Sequence, residues 1–171
     1  MSSYTIVVFI IVILFLIFIY MKNNCFVIIK QSHKGILERN KKFYKILEPG
    51  FHFAIPFIDK TTKVVDMREH VRDMPTMMFL TQENVNLAIN YLIYFSIDNV
   101  YDYIYNSQSP LKELEDFSFN LIKDVVESMT FETSETFLSY ANDKLSFSLI
   151  QYGNLINGIK INKIEINRVS L

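Results

Sequence analysis

The hydrophobic pattern of this chain changes period along its length, and each period predicts a different element. From Tyr4 to Met21 the residues run apolar without a charge, and every position from Ile6 to Ile19 is Ile, Leu, Val or Phe. Each such residue near a helix centre favours membrane insertion by roughly 0.3–0.6 kcal/mol, so the run favours it by on the order of 4–8 kcal/mol at most. Eighteen residues at about 1.5 Å rise reach about 27 Å, which matches a hydrocarbon core of about 30 Å. A membrane-spanning helix over 1–21 is therefore expected; a core helix is the alternative.

Beyond it the period shortens. Cys25 to Lys30 and Gly35 to Arg39 predict short strands around the polar break Gln31-Ser32-His33-Lys34. Glu48-Pro49-Gly50 predicts a turn, and the Pro-broken aromatic stretch Phe51 to Ile58 is unsuited to a central strand. Lys63 to Met67 and Glu69 to Met74 are further strands, the latter stopped by Pro75. After Thr81-Gln82-Glu83-Asn84 the alternation is complete: Val85, Leu87, Ile89, Tyr91, Ile93, Phe95 and Ile97 share one face, which must be buried.

From Pro110 the period lengthens to that of a helix. Leu111, Leu114, Phe117, Leu121, Ile122, Val125 and Met129 form a stripe opposite Lys112, Glu113, Glu115, Asp116, Lys123, Asp124 and Glu127, with Pro110 suited to the first turn. A second helix is expected from Ser139 as N-cap through Leu145, Leu149 and Tyr152, ending near Gly153-Asn154. Ile159 to Ile166 alternates apolar and polar and predicts a closing strand. Strands, then helices, then a returning strand indicate an α+β domain over 22–171.

Composition narrows the function classes. A formal charge of −1 with both signs interspersed is unlike a nucleic-acid surface. The single cysteine, Cys25, excludes an intramolecular disulfide and a zinc framework. No Gly-rich phosphate loop or nucleophile elbow occurs, and His33, His52 and His70 share no metal-ligand spacing. Asp66, Glu69 and Asp73 sit among Arg68 and Arg72 and read as a satisfied charged face. No cofactor, metal or catalysis is expected. Met1-Ser2-Ser3 has no basic residue and no small-residue cleavage site follows the apolar run, so the segment reads as a retained anchor rather than a signal peptide. Basic residues follow the run, from Lys22 through Lys45, which places the remainder in the cytosol by the positive-inside rule.

The order of short motifs resembles the stomatin/prohibitin/flotillin (SPFH, or band 7) superfamily, and most closely its stomatin branch. The apolar run is followed by Leu47-Glu48-Pro49-Gly50-Phe51-His52-Phe53, Ile55-Pro56-Phe57-Ile58-Asp59 and Val64-Val65-Asp66-Met67-Arg68-Glu69. Asp73-Met74-Pro75, Leu80-Thr81-Gln82-Glu83-Asn84-Val85 and Tyr91-Leu92-Ile93-Tyr94-Phe95 come next, and Gly158 to Ile166 resembles the family's closing strand. The sequence departs from the pattern at Asn157, where the family often has Trp, and at Ala88-Ile89-Asn90, where stomatins carry an Asp-Gly pair. An arginine usual in the second helix is absent.

The resemblance implies an N-terminal transmembrane helix followed by an SPFH domain with an antiparallel-rich sheet and packed helices. It implies a membrane scaffold that self-associates and organises lipid and protein assemblies, or alternatively an accessory subunit of a membrane protease or ion channel. The chain stops at Leu171, before the long Ala/Glu-rich helix through which stomatins assemble. Assembly is then expected through the domain and anchor alone, or with a longer SPFH partner. Two further expectations concern the membrane. Phe51, Phe53 and Phe57 either enter the interface or fill the core, with the basic cluster Arg39, Lys41, Lys42 and Lys45 attracting anionic lipid or lining a solvated turn. Cys25 is either a site of S-acylation or a small hydrophobe starting the first strand.

Overall fold

The computed structural model describes residues 3–129, 134–152 and 155–170. The chain divides into two compact units, Met1–Asp66 and Met67–Leu171.

The first unit opens with helix α1 (Ser3–Asn24), then strands β1 (Phe26–Ile29), β2 (His33–Arg39), β3 (Lys42–Leu47), β4 (Gly50–Phe53) and β5 (Asp59–Asp66). They form two antiparallel sheets, a pair β1-β4 and a three-stranded sheet in the order β3-β2-β5. Ile29, Leu37, Leu47 and Ala54 make the small core, with Val27 packed against it. Strand β3 is absent from the sequence expectation, which reads Lys41 and Lys42 as part of a basic turn. Asn40 and Lys41 carry φ of 51° and 64°, and Arg39 pairs with Lys42 across them. Two left-handed residues between paired strands are the tight hairpin turn whose twist matches that of the strands, so the chain reverses there and continues as β3.

The second unit carries β6 (His70–Asp73), β7 (Met77–Leu80), β8 (Asn86–Ile97), β9 (Leu155–Ile156) and β10 (Ile159–Ser170). Its helices are α2 (Val100–Tyr105), α3 (Pro110–Glu127) and α4 (Ser134–Tyr152). The sheet runs β6-β8-β10-β9, with β7 following β6 along the same edge of β8, and every pairing is antiparallel. The alternation expected for β8 holds at each position from Leu87 to Ile97. Its buried face meets Leu114, Leu121, Ile122, Val125 and Val126 of α3 and Phe137, Ala141, Leu145 and Leu149 of α4 in one core.

Two expectations need correction. Helix α4 begins at Ser134, not Ser139: the buried residues Phe137, Ala141, Leu145 and Leu149 recur every fourth position, and Ser139 lies on the exposed side of an established helix. The end expected at Gly153-Asn154 lies outside the described residues. Strand β10 does not alternate strictly. Ile159, Ile161, Ile164, Ile166 and Val169 are all buried, although two of their spacings are three, because the register with β8 shifts between Ile161 and Lys163 and again between Ile166 and Arg168. Each bulge absorbs one residue and returns the apolar series to the core face. Strand β7, unmarked in the sequence reading, is short and pairs Met77–Leu80 with β8.

Asn157 and Gly158 link β9 to β10 with φ of 44° and 80°, the Asn-Gly hairpin signature. The Gly158 carbonyl accepts the amides of Asp98 and Asn99 at 2.8 and 3.1 Å, so the turn lies directly on the start of α2. A Cβ at Gly158 would come within 2.2 Å of the Asn99 carbonyl oxygen and 2.6 Å of the Tyr103 nitrogen. Both are backbone atoms that cannot yield without moving the helix. Gly158→Ala is expected to cost about 2 kcal/mol or more, measured as a lower urea midpoint at unchanged slope.

On α4, the Asn142 amide donates to the Ile166 carbonyl at 3.3 Å and accepts the Ile166 amide at 2.8 Å. The Ile166 groups point away from β8, because Tyr91 opposite uses its carbonyl for Met74. Asn142 therefore supplies both hydrogen bonds that a neighbouring strand would make at a buried position. Asn142→Ala should cost about 1–3 kcal/mol, and hydrogen exchange should show the Ile166 amide losing protection before its neighbours.

Candidate membrane-contact surface

Strands β1 and β4 pair with Phe26 opposite Phe53 and Ile28 opposite Phe51, so these four side chains share one face. That face is bare: Phe26 is 48% exposed, Ile28 74%, Phe51 65% and Phe53 57%. The rings cluster, Phe26 lying 5.1 Å from Phe51 and 6.1 Å from Phe53 between centroids. The opposite face carries Val27 and Ile29 into the core, beside a half-buried His52 whose Nε2 lies 2.6 Å from the Glu48 carbonyl oxygen. A sheet apolar on both faces has one more hydrophobic surface than this unit can bury.

Of the expected contact residues, Phe51 and Phe53 stand on this face rather than in the core. Phe57 follows in the loop between β4 and β5 and is 90% exposed. Phe26 and Ile28 were not anticipated. Their signal was present, since a strand reading Phe-Val-Ile-Ile is apolar on both sides, but the partner that completes the face is set by a pairing with β4, which no local pattern shows.

The loop is held by charge. Asp59 accepts Arg39 Nε at 2.7 Å and Nη2 at 3.0 Å, and it also accepts the Ile55 amide at 3.0 Å. The Arg39 guanidinium, aided by the Ile55 amide and opposed by burial, holds the Asp59 carboxyl down at about 2. The same guanidinium lies 4.0 Å over the Tyr44 ring, so Arg39 is committed to this cluster and leaves the basic group that the sequence assigns either to anionic lipid or to a solvated turn. Lys41, Lys42 and Lys45 remain exposed at and beyond the hairpin tip. Because the Asp59 pKa is lower folded than unfolded, the contribution of this pair is complete above about pH 4 and is lost as pH falls towards 2. Acid titration of Asp59→Asn should therefore lack a destabilising step that the native chain shows between about pH 4 and 2, with native and variant melting temperatures converging at the acid end.

Cys25 joins this sheet to α1. It is 2% exposed, and its carbonyl accepts the Ala54 amide at 2.8 Å. Its side chain is thus packed, and an acylating enzyme would reach the thiol only after the junction opened. A single residue separates Asn24 from Phe26, and two Cα–Cα steps span at most about 8 Å. The aromatic face must start at the end of the helix. Along α1 every residue from Ile6 to Ile19 is 41–65% exposed, so the helix is apolar all round and uncovered. Among the described residues no helix is long and apolar enough to cross a membrane. The side chains described in α1 run from Tyr4 to Ile19, about 24 Å of rise against a core of about 30 Å.

The remaining chemically capable residues do not converge. Glu69 accepts Asn162 at 2.8 Å, Asp73 accepts Asn90 at 3.1 Å, and Asp66 ends β5 opposite His33. The His33 ring nitrogen contacts the Gln31 carbonyl oxygen at 2.9 Å, and His70 lies 5.5 Å from the Phe95 ring. Among the described residues no three His, Cys, Asp or Glu side chains gather where they would hold a metal.

Comparison with known proteins agrees with this architecture. The chain is 27% identical over 127 residues to Stomatin-like protein stl-1 of Caenorhabditis elegans, covering 74% of this chain and 39% of that protein. A protein of Methanocaldococcus jannaschii is 25% identical over 164 residues, covering 92% and 78%. The mitochondrial Stomatin-like protein 2 of Rattus norvegicus is 30% identical over 89 residues, covering 52% and 25%. The chain spans less than half the length of the two stomatin-like relatives. The model of the SPFH domain / Band 7 family matches residues 27–169, across both units, and the chain belongs to that family.

Proposed function

We propose that this protein is a membrane-associated SPFH scaffold, anchored through α1 and resting on the bilayer interface through the bare face of β1 and β4. The observation that carries the reading is covalent: an uncovered apolar helix and an uncovered aromatic face are joined by one residue. The apolar run of the sequence continues through Tyr20 and Met21, and α1 extends to Asn24, 22 residues or about 33 Å of backbone rise, so a single-pass anchor fits. With α1 in the hydrocarbon, Phe26 has nowhere to be but the interface.

The energetics agree. The exposed parts of Phe26, Ile28, Phe51 and Phe53 amount to roughly 400 Å², within the size range of functional surface patches. At about 25 cal/mol per Å² their transfer from water favours membrane contact by on the order of 10 kcal/mol at most. Lys41, Lys42 and Lys45 would each add about 1 kcal/mol if they lie near anionic headgroups. The basic residues after α1 favour a cytosolic position for the rest of the chain.

Helix α1 has no Gly, Ala or Ser among Tyr4–Met21. It therefore lacks the small-residue seam by which membrane helices pack, and self-association falls to the units outside the bilayer.

The protein contains no tryptophan, so F53W makes a single-site reporter. Reconstituted in vesicles whose lipids are brominated near the headgroup, the full chain carrying F53W should lose at least half its fluorescence, and it should resist alkaline carbonate extraction. Unquenched fluorescence from an extraction-resistant protein would confine membrane contact to α1. Light scattering of the detergent-extracted native chain then separates a scaffold, expected as a defined oligomer, from a one-to-one accessory subunit, expected as a monomer.

A further inference from the structure

The sheet of the second unit has two faces, and only one carries the core. The side chains of β8 between its buried positions point away from that core, and register places a set of neighbours beside them. Val71 and Asp73 of β6 lie opposite Tyr94 and Leu92, and Met78 and Leu80 of β7 lie opposite Ala88 and Asn86. Lys160, Lys163, Glu165 and Arg168 of β10 lie opposite Ser96, Tyr94, Leu92 and Asn90. Val71, Met78 and Leu80 are 55%, 62% and 42% exposed, and Leu92 and Tyr94 between the rims are half-buried.

Charge is sorted across this face. Glu69, just before β6, accepts the Asn162 amide of β10 at 2.8 Å, and Asp73 accepts the Asn90 amide at 3.1 Å. Both partners are neutral, so neither carboxylate is cancelled by them. On β10, Lys163 and Glu165 bind each other at 2.8 Å, whereas Lys160 and Arg168 are exposed and make no ion pair among the described residues. One rim is left acidic and the other basic, with the apolar strip between them. Counting the Lys163 and Glu165 pair, three charges of each sign cancel over Glu69 and the outward side chains of β6, β8 and β10. Such a face draws neither anionic lipid nor nucleic acid, and its charged rims keep it out of hydrocarbon.

We propose that this face docks on the same face of a second copy of the chain, making a two-fold dimer. The inference rests on the scaffold reading above, in which the units outside the bilayer carry self-association, and assigns that role to one surface. A two-fold axis along β8 turns one copy over the other, so that β8 meets β8 and each acidic rim lies over a basic one. Glu69 of one copy then comes level with Lys160 of the other, because one pairs a step before His70 with Phe95 and the other pairs with Ser96. Asp73, level with Leu92, falls one diagonal step from Arg168, level with Asn90. Size is sufficient. Three strands about 4.8 Å apart along the 12 residues of β8 offer roughly 570 Å² per copy, or about 1,100 Å² in all, against the ~1,000 Å² a specific interface needs.

The test uses the full chain in mild detergent, with mass read by light scattering. Glu69→Lys with Asp73→Lys makes both rims basic, and Lys160→Glu with Arg168→Glu makes both acidic. Each double variant alone should fall to half the native mass or less, and an equimolar mixture of the two should regain it, since unlike rims then meet. A native chain that is monomeric would overturn the self-associating scaffold and this dimer together. Double variants that keep the native mass would overturn the assigned face and leave the scaffold standing; a mixture that stays dissociated would overturn the two-fold pairing. Should circular dichroism show a double variant unfolded, a single cysteine decides. In a Cys25→Ala background, Leu92→Cys lies beside the axis and should be joined to its own copy by a short bismaleimide, whereas Asp124→Cys, exposed on α3, should not. Equal cross-linking at both positions, or at neither, would overturn the proposal.

Discussion

The antiparallel pairing of β8 with β10 is the constraint on which the second unit depends. Twelve residues of β8 offer six buried side chains on one face, and nothing buries them unless a long partner lies beside β8 and helices lie across it. Strand β10 is that partner, but only because two bulges adjust its register. Without them Ile164 and Ile166 would turn outward and bring Lys163 and Glu165 to the core face, since a slip of one residue reverses every side chain up to the second shift. The edges follow from the same pairing. β6 and β7 share the far side of β8, and Asn142 stands in for the strand that β10 lacks at Ile166.

The first unit is built under the opposite condition. Its core is small, with Ile29, Leu37, Leu47 and Ala54 at the centre, and two sheets close around it. The pair β1-β4 is apolar on both faces, and only one face reaches that core. For a water-soluble module this would be a defect, since an uncovered aromatic face invites association. Under the proposed membrane reading the same face, joined through Cys25 to a helix uncovered from Ile6 to Ile19, has a medium to enter. Cys25 itself is buried at this junction, its carbonyl accepting the Ala54 amide of the strand end.

What was legible in the sequence was what repeats locally. The β8 alternation and the α3 stripe were read almost residue for residue, because period alone fixes which face is buried. Where the period broke, the reading failed for identifiable reasons. In β10 a bulge mimics alternation with one residue too many. In α4 a helix with apolar residues on several sides gives little periodic signal, since Tyr140 and Phe147 are exposed opposite the buried series. Strand β3 was hidden behind lysines, although Asn40-Lys41 marks a left-handed turn, and Asn157, a departure from the family pattern, serves as half of an Asn-Gly hairpin. The candidate surface was half legible. Phe51, Phe53 and Phe57 stand out as aromatics, but Phe26 and Ile28 join them only through sheet register, and the Arg39 to Asp59 pair spans 20 residues.

That pair also shows why charge near a membrane cannot be read by counting. In the sequence Arg39 belongs with Lys41, Lys42 and Lys45 as a basic cluster that either attracts anionic lipid or lines a solvated turn. In the fold it turns the other way, towards a buried carboxylate and the face of Tyr44. The exchange is physically reasonable. A planar guanidinium satisfies both oxygens of Asp59 and still stacks on a ring, whereas a lysine ammonium offers no such fork. The neighbouring lysines keep their charge in solvent, where long-range attraction to headgroups needs no fixed geometry. Arginine thus fixes the loop between β4 and β5, and Lys41, Lys42 and Lys45 stay exposed to solvent.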